Sequence, residues 1–120
     1  LQRKMQSLKS SLKKRSEDAD VKFDITMEDL REMFYVKYGK SCRYCRKKLT
    51  IRNMVCDHII PLSKSGESVK ENLQLICKAC NTRKGPLDEK DFEELIFWVE
   101  TLKDETKEYV LRKLAKGGRY

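Results

Sequence analysis

Two Cys-x-x-Cys pairs, Cys42-Arg43-Tyr44-Cys45 and Cys77-Lys78-Ala79-Cys80, carry the most distinctive chemistry of the chain. Two intervening residues turn both sulfurs of a pair to one side, and four thiolates meet the tetrahedral preference of zinc in a structural site. The alternative, two disulfides, needs an oxidising compartment for which the sequence offers no support. A 31-residue gap separates the pairs, more than in a short zinc ribbon, so a loop-bearing insertion lies between them. Four sulfur ligands leave no open coordination position. The expected role of Zn2+ is therefore to hold the fold, which a small domain needs. The fifth cysteine, Cys56, stands in a hydrophobic stretch beside Asp57 and reads as a small buried residue.

The insertion holds the single histidine, His58, directly after Asp57. One histidine excludes any mechanism or metal site that needs two from this chain. Asp57 is a hard oxygen donor, and Asn81, just after the second cysteine pair, offers another. Oxygen donors suit Mg2+ or Mn2+ rather than zinc. A hard cation beside a free imidazole is the minimum set for hydrolysing a phosphodiester. The metal polarises the phosphate and stabilises the leaving oxygen, while neutral imidazole takes a proton from water. Successive strand residues point to opposite faces, so a bulged or terminating strand is expected where Asp57 and His58 share a cleft.

The run Asp57-His58-Ile59-Ile60-Pro61-Leu62, then Glu71-Asn72-Leu73-Gln74, then Cys77-Lys78-Ala79-Cys80-Asn81 with Lys84-Gly85, resembles the zinc-containing branch of the HNH endonucleases. That family has a ββα-metal fold and is common in phages and bacteria. The resemblance covers roughly residues 40–87. It implies that His58 is the general base and Asp57 the metal ligand before it. Asn72 matches the middle position, which fixes the loop and hence the orientation of the base. Asn81 matches the last position, where many members have histidine and others asparagine. The chain is thus an HNN-type variant with oxygen donors for a catalytic Mg2+ or Mn2+. Arg83 and Lys84 are candidates for DNA phosphate contact or charge stabilisation, with a merely solvated role as the alternative. The implied reaction is attack of water on DNA, leaving 5′-phosphate and 3′-hydroxyl ends, with nicking by a monomer and double-strand cleavage by a dimer. A non-catalytic, zinc-dependent nucleic-acid-binding module is the competing reading. A component of a larger phage or repair assembly, suggested by the acidic stretch 88–108, is the third.

These residues need elements to position them. Leu1, Met5, Leu8 and Leu12 recur at helical spacing among lysines and arginines, the pattern of an amphipathic basic helix or of an arm that orders on a partner. Ser16 to Asp20 is polar and reads as a break. Thr26 with Asp29 forms a capping box opening a helix with Leu30, Met33, Phe34 and Tyr38 on one face, and Gly39 is a plausible stop. Residues 41–60 switch to short β-like pieces with Ile51, Val55, Ile59 and Ile60 as expected core positions, and Pro61 to Ser68 reads as a loop. Asn72 to Ile76 follows as a strand, Cys77 to Lys84 as a short helix ended by Gly85-Pro86, and Asp88 as the N-cap of a helix burying Phe92, Leu95, Ile96, Val99 and Leu102. A last helix from about Asp104 offers Tyr109, Val110 and Leu114, and Gly117-Gly118 ends order. The expected class is α+β, a small ββα-metal core stapled by a four-cysteine zinc site and flanked by N- and C-terminal helices. The expected divisions are 1–25 (basic helical arm), 26–87 (HNH domain with its preceding helix) and 88–120 (C-terminal helical segment).

The 120 residues suit one compact domain, and their net charge of +8 favours a polyanionic partner such as DNA. That charge is concentrated. Residues 40–84, which include every cysteine and the histidine, carry +8, and residues 1–15 carry +6, while 16–39 and 85–108 are acidic. A basic surface that coincides with the candidate chemistry places phosphate neutralisation where a nucleic acid would react. The first fifteen residues read as a DNA-contacting arm or as a helix for a partner. No run approaches the ~18 apolar residues of a membrane span, and the N-terminus lacks the apolar core of a secretory signal. The chain starts with Leu rather than Met, consistent with a processed product or a piece of a longer chain. Reduced thiols point to a cytoplasmic, reducing location, in a bacterial host if phage-encoded.

Overall fold

The structure, a computed structural model, describes residues 1–116; the Gly117-Gly118 stop lies outside the described residues. Its centre is an antiparallel hairpin of β2 (Met54–His58) and β4 (Leu73–Cys77). α3 (Lys78–Lys84) follows β4 directly, which gives the strand–strand–helix order of a ββα core. Around it lie α1 (Gln2–Asp18), β1 (Phe23–Asp24), α2 (Met27–Lys37), β3 (Ser68–Val69), α4 (Glu89–Glu100) and α5 (Asp104–Ala115). β1 and β3 form a second, parallel two-stranded pair. The class is α+β, with five α-helices and two small sheets among the described residues.

Pleating divides the hairpin into two faces, and each face has its own core. Met54, Cys56, Leu73 and Leu75 pack against Met5, Leu12, Ile25, Leu30 and Phe34 from α1, α2 and the segment between them. Val55 and Ile76 face the other way, toward Tyr44, Leu49, Phe92 and the cysteine pairs. α1 is therefore a wall of the core. Met5 and Leu12 are fully buried, and each such side chain stabilises by about 1.5–3 kcal/mol on burial. The expected break at Ser16 is displaced: Ser16 is helical and fully buried, and the chain turns at Ala19 and Asp20 instead. The periodicity over Leu1 to Leu12 found the apolar stripe, but a buried serine continues that stripe and looked like a polar stop.

Local signals position the remaining elements. Thr26 Oγ1 accepts from the Asp29 N–H at 3.1 Å and Asp29 Oδ2 accepts from the Thr26 N–H at 3.0 Å, the reciprocal capping box that starts α2. Gly39 ends that turn at φ +76°, where a side chain would be strained. Asp88 caps α4 by accepting from the Asp91 N–H at 2.8 Å. Four expected core assignments differ. Ile51 and Ile60 are exposed, because β2 begins only at Met54 and the interior is filled by Met54 and Cys56. Tyr38 stands past the end of α2 and Tyr109 on the outer face of α5, both exposed. The helix 104–115 instead turns Val110, Leu111 and Leu114 partly inward, packing on α3 and α4.

Candidate active site

The register of β2 on β4 is unbroken from Met54 opposite Cys77 to His58 opposite Leu73, so of the two expected arrangements the strand terminates here and does not bulge. Asp57 and His58 accordingly belong to opposite faces of the hairpin. The strand ends at His58, and there both residues border one cavity of about 270 Å³ together with Asn81 from α3 and Arg15 from α1.

On Asp57's face, Gln74 lies directly opposite and donates Nε2–H to Asp57 Oδ2 at 2.9 Å and to Tyr44 Oη at 2.9 Å. Lys84 Nζ lies 3.2 Å from both carboxylate oxygens and donates to the His58 carbonyl at 2.9 Å. Its side chain is 1% exposed, which excludes the solvated role among those expected for this residue. Lys84 is neither solvated nor available to a DNA phosphate; it is the buried counter-ion of Asp57. Arg83 is half-buried and does not line the cavity. Burial pushes the Asp57 carboxyl above its ordinary value, with Gln74 and then Lys84 pulling the other way.

On the opposite face, His58 is 5% exposed and its Nε2 lies 2.8 Å from Ser68 Oγ. Ser68 Oγ lies 2.5 Å from Ser16 Oγ, and Ser16 donates to the Leu12 carbonyl at 2.6 Å. Burial, followed by the charges of Arg15 and Lys84, lowers the imidazole from 6.5 to about 4, so it is neutral at physiological pH.

Asn72 does not reach the cavity. It fastens the loop behind it: Oδ1 accepts from the Ile60 N–H at 2.8 Å, and Nδ2 donates to the Ile60 and Glu67 carbonyls at 3.0 and 2.8 Å. Its own carbonyl accepts from the Ile59 N–H at 2.9 Å. Gly66 closes the same loop. A Cβ there would stand 1.7 Å from the Ile60 carbonyl oxygen, so only glycine fits.

The four thiols of Cys42, Cys45, Cys77 and Cys80 lie within 4.8 Å of one another, and none is in a disulfide. Their loops are preshaped. Arg46 turns at φ +64° with its N–H on the Cys42 carbonyl, Cys77 N–H points at Cys42 Sγ (3.5 Å), and Cys80 N–H at Cys77 Sγ (3.4 Å). The Cys80 thiol's hydrogen bond pulls Cys42 down to about 4, while Cys77 is raised, chiefly by burial, and Cys80 is raised, chiefly by Cys42. Four thiolates this close repel one another without a cation between them, and a tetrahedral metal relieves that repulsion. The donor set makes this a candidate structural metal site. Asp57 and Asn81 border the same cavity and are oxygen donors, the chemistry that suits a divalent ion keeping waters and phosphate oxygens as further ligands, although the Asp57 oxygens here are bonded to Lys84 and Gln74.

Residues 42–87 match the family model described as HNH endonuclease. This segment is an HNH domain. No curated protein matches the chain. The HNH domain contains Asp57, His58, Asn72, Asn81 and both cysteine pairs, but the cavity is completed from outside it. Arg15 and Ser16, at the C-terminal end of α1, reach the imidazole's surroundings from beyond the matched segment. The basic charge of residues 1–15 was the only sequence signal for Arg15. Nothing in the sequence pointed to Ser16 or Ser68, and Gln74 entered only as part of the motif run, without a role.

Proposed function

We propose that the chain is a metal-dependent HNH endonuclease that hydrolyses DNA phosphodiester bonds. The observation that carries this reading is the convergence of Asp57, His58 and Asn81 on one cavity in a segment that also gathers four thiols. In this reading Cys42, Cys45, Cys77 and Cys80 hold a structural Zn2+, and Asp57 and Asn81 hold a catalytic Mg2+ or Mn2+. The catalytic ion, when bound, would polarise the scissile phosphate and stabilise the leaving oxygen. His58 takes the proton from the attacking water, a role that suits a buried, neutral imidazole. Asn72 keeps the Ile59–Ile60 turn, and so the end of β2, at a fixed angle to the cavity. Gln74 and Lys84 hold the Asp57 carboxylate in one orientation, which is the preorganisation hydrolysis needs. Arg15, bordering the same cavity, takes the phosphate-facing role expected of Lys84.

The organisation that follows has residues 26–87 as the catalytic unit and 88–120 as its C-terminal support, with 1–25 contributing both core and cavity. The thiol cluster suits a reducing cytoplasm, of a bacterial host if the chain is phage-encoded. One observation favours the alternative of a non-catalytic, zinc-dependent nucleic-acid-binding module: Lys84 already neutralises the Asp57 carboxylate. A supercoiled-plasmid assay in Mg2+ or Mn2+ decides between the two. Wild type should nick and His58→Ala should not, with zinc content and fold unchanged. Nicking retained by His58→Ala would overturn the mechanism, and no cleavage by either protein would favour the binding module.

A further inference from the structure

Ser16, Ser68 and His58 come from three separate elements, α1, β3 and the end of β2, yet their side chains form one continuous hydrogen-bonded row. The direction of every bond in it follows from counting protons. A carbonyl only accepts, so at the 2.6 Å contact with Leu12 O the Ser16 hydroxyl is the donor. Ser16 has no second proton, so across the 2.5 Å contact Ser68 donates to Ser16. Ser68 is then also without a proton to give, and at 2.8 Å from His58 Nε2 it can only accept. A neutral imidazole carries one N–H, and this contact assigns it to Nε2. Ser16 and Ser68 are fully buried and His58 is 5% exposed, so the row is closed to solvent that could reverse it.

We infer that Ser16 and Ser68 are positioning residues that lock His58 in the Nε2–H tautomer, leaving the Nδ1 lone pair as the site that receives the proton from water. The inference rests on the reading of His58 as the base, and it deepens that reading by naming the basic nitrogen and the residues that choose it. It also makes α1 part of the catalytic apparatus. The row ends on a backbone carbonyl of α1, outside the segment that matches the HNH family, so the seating of α1 on the core is transmitted to the ring. Without this row the ring could turn over or exchange tautomers, and the base would then hold its lone pair away from water for part of the time.

Because His58 is the only histidine, its ring nitrogens give unambiguous resonances in the 15N-labelled, zinc-loaded full chain. At pH 7.5 we expect a single tautomer, protonated at Nε2, with that N–H directly visible because burial and Ser68 protect it from exchange. Ser68→Ala should lose the protected resonance and lower kcat for plasmid nicking by about tenfold, with KM for DNA little changed. The wild-type spectrum decides without any variant having to fold: a proton on Nδ1, or a mixture of tautomers, overturns the inference. So does a protected Nε2–H that persists in Ser68→Ala, or a Ser68→Ala variant that loses it and nicks at the wild-type rate. A wild-type Nδ1–H spectrum combined with His58-dependent nicking would sink the row and leave the nuclease reading standing. The expected spectrum combined with nicking by His58→Ala would overturn the role of Nδ1 as base together with that reading, leaving only the bond directions.

Discussion

The two faces of the β2–β4 hairpin do different work by different means. The face bearing Asp57 is closed by the cysteine loops, Tyr44 and Phe92, which include the four clustered thiols of the candidate metal site. The face bearing His58 has no such staple. It is closed by α1 and α2, from the other end of the sequence, through apolar packing and a row of hydroxyls. Two residues adjacent in sequence are thereby placed in separate environments and share only the cavity where the strand ends. The Asp57 side is fixed around a closely specified cluster of four thiols, and the His58 side by packing from the other end of the chain, so the two should fail differently.

The sharpest separation should come from the staple. Cys77→Ser removes one of four thiolates, and structural zinc in such sites contributes on the order of 10–16 kcal/mol, comparable to the whole stability of a small domain. We expect zinc content to fall and the thermal transition to collapse; an unchanged melting curve would contradict the structural role. Next is Lys84→Met. It leaves the buried Asp57 carboxylate with Gln74 as its remaining side-chain donor, and breaking a buried pair in this way typically costs about 3–5 kcal/mol. Zinc should stay bound in this variant. A change below about 1 kcal/mol in urea unfolding would mean that the pair is screened as a surface one is. On the opposite face, Leu12→Ala opens a cavity beneath α1 and should cost about 2–5 kcal/mol, again with zinc retained. It should also lower nicking, because α1 carries the end of the row that orients His58. Loss of zinc in Leu12→Ala would show that the faces are not independent.

The same division decides what the sequence made legible. Much of the Asp57 face is written in closely spaced residue types: Cys-x-x-Cys pairs, Asp beside His, Asn after the second pair. The ββα order and the four-sulfur cluster were readable from these. The Thr26–Asp29 capping box, the Asp88 N-cap and Gly39 likewise act within a few residues of themselves. The His58 face was not readable, because Ser16 and Ser68 are 52 positions apart and each alone looks like an ordinary polar residue. Lys84 was only partly legible, for a related reason. A lysine near a candidate phosphate site reads as a surface cation, and only the fold reveals that its ammonium is enclosed against Asp57 and the His58 carbonyl. The apolar residues of 51–60 misled because register was unknown: a strand starting at Met54 buries Met54 and Cys56 and leaves Ile51 and Ile60 outside.

The smallest expected effect separates the faces by the sign of their pH dependence. Burial holds the folded His58 imidazole at about 4 against an ordinary 6.5. The unfolded chain therefore takes up a proton first, and His58's contribution to stability, complete above about pH 6.5, is lost as pH falls toward 4. Asp57 runs the other way. Its carboxyl is raised by burial, so its contribution is complete below the ordinary carboxylate value of 3.8 and is lost as pH rises through the folded value. Urea unfolding of wild type and His58→Gln at pH 7 and pH 4.5, without added divalent ion, isolates the imidazole because the chain has no other histidine. The protonation of thiolates and carboxylates is common to both proteins and cancels in the comparison. Wild type should lose about 2 kcal/mol more than the variant over that interval. Parallel losses would mean that the ring is hydrated in the folded chain as it is in the unfolded one, and with it that the face closed by α1 and α2 is not sealed around His58.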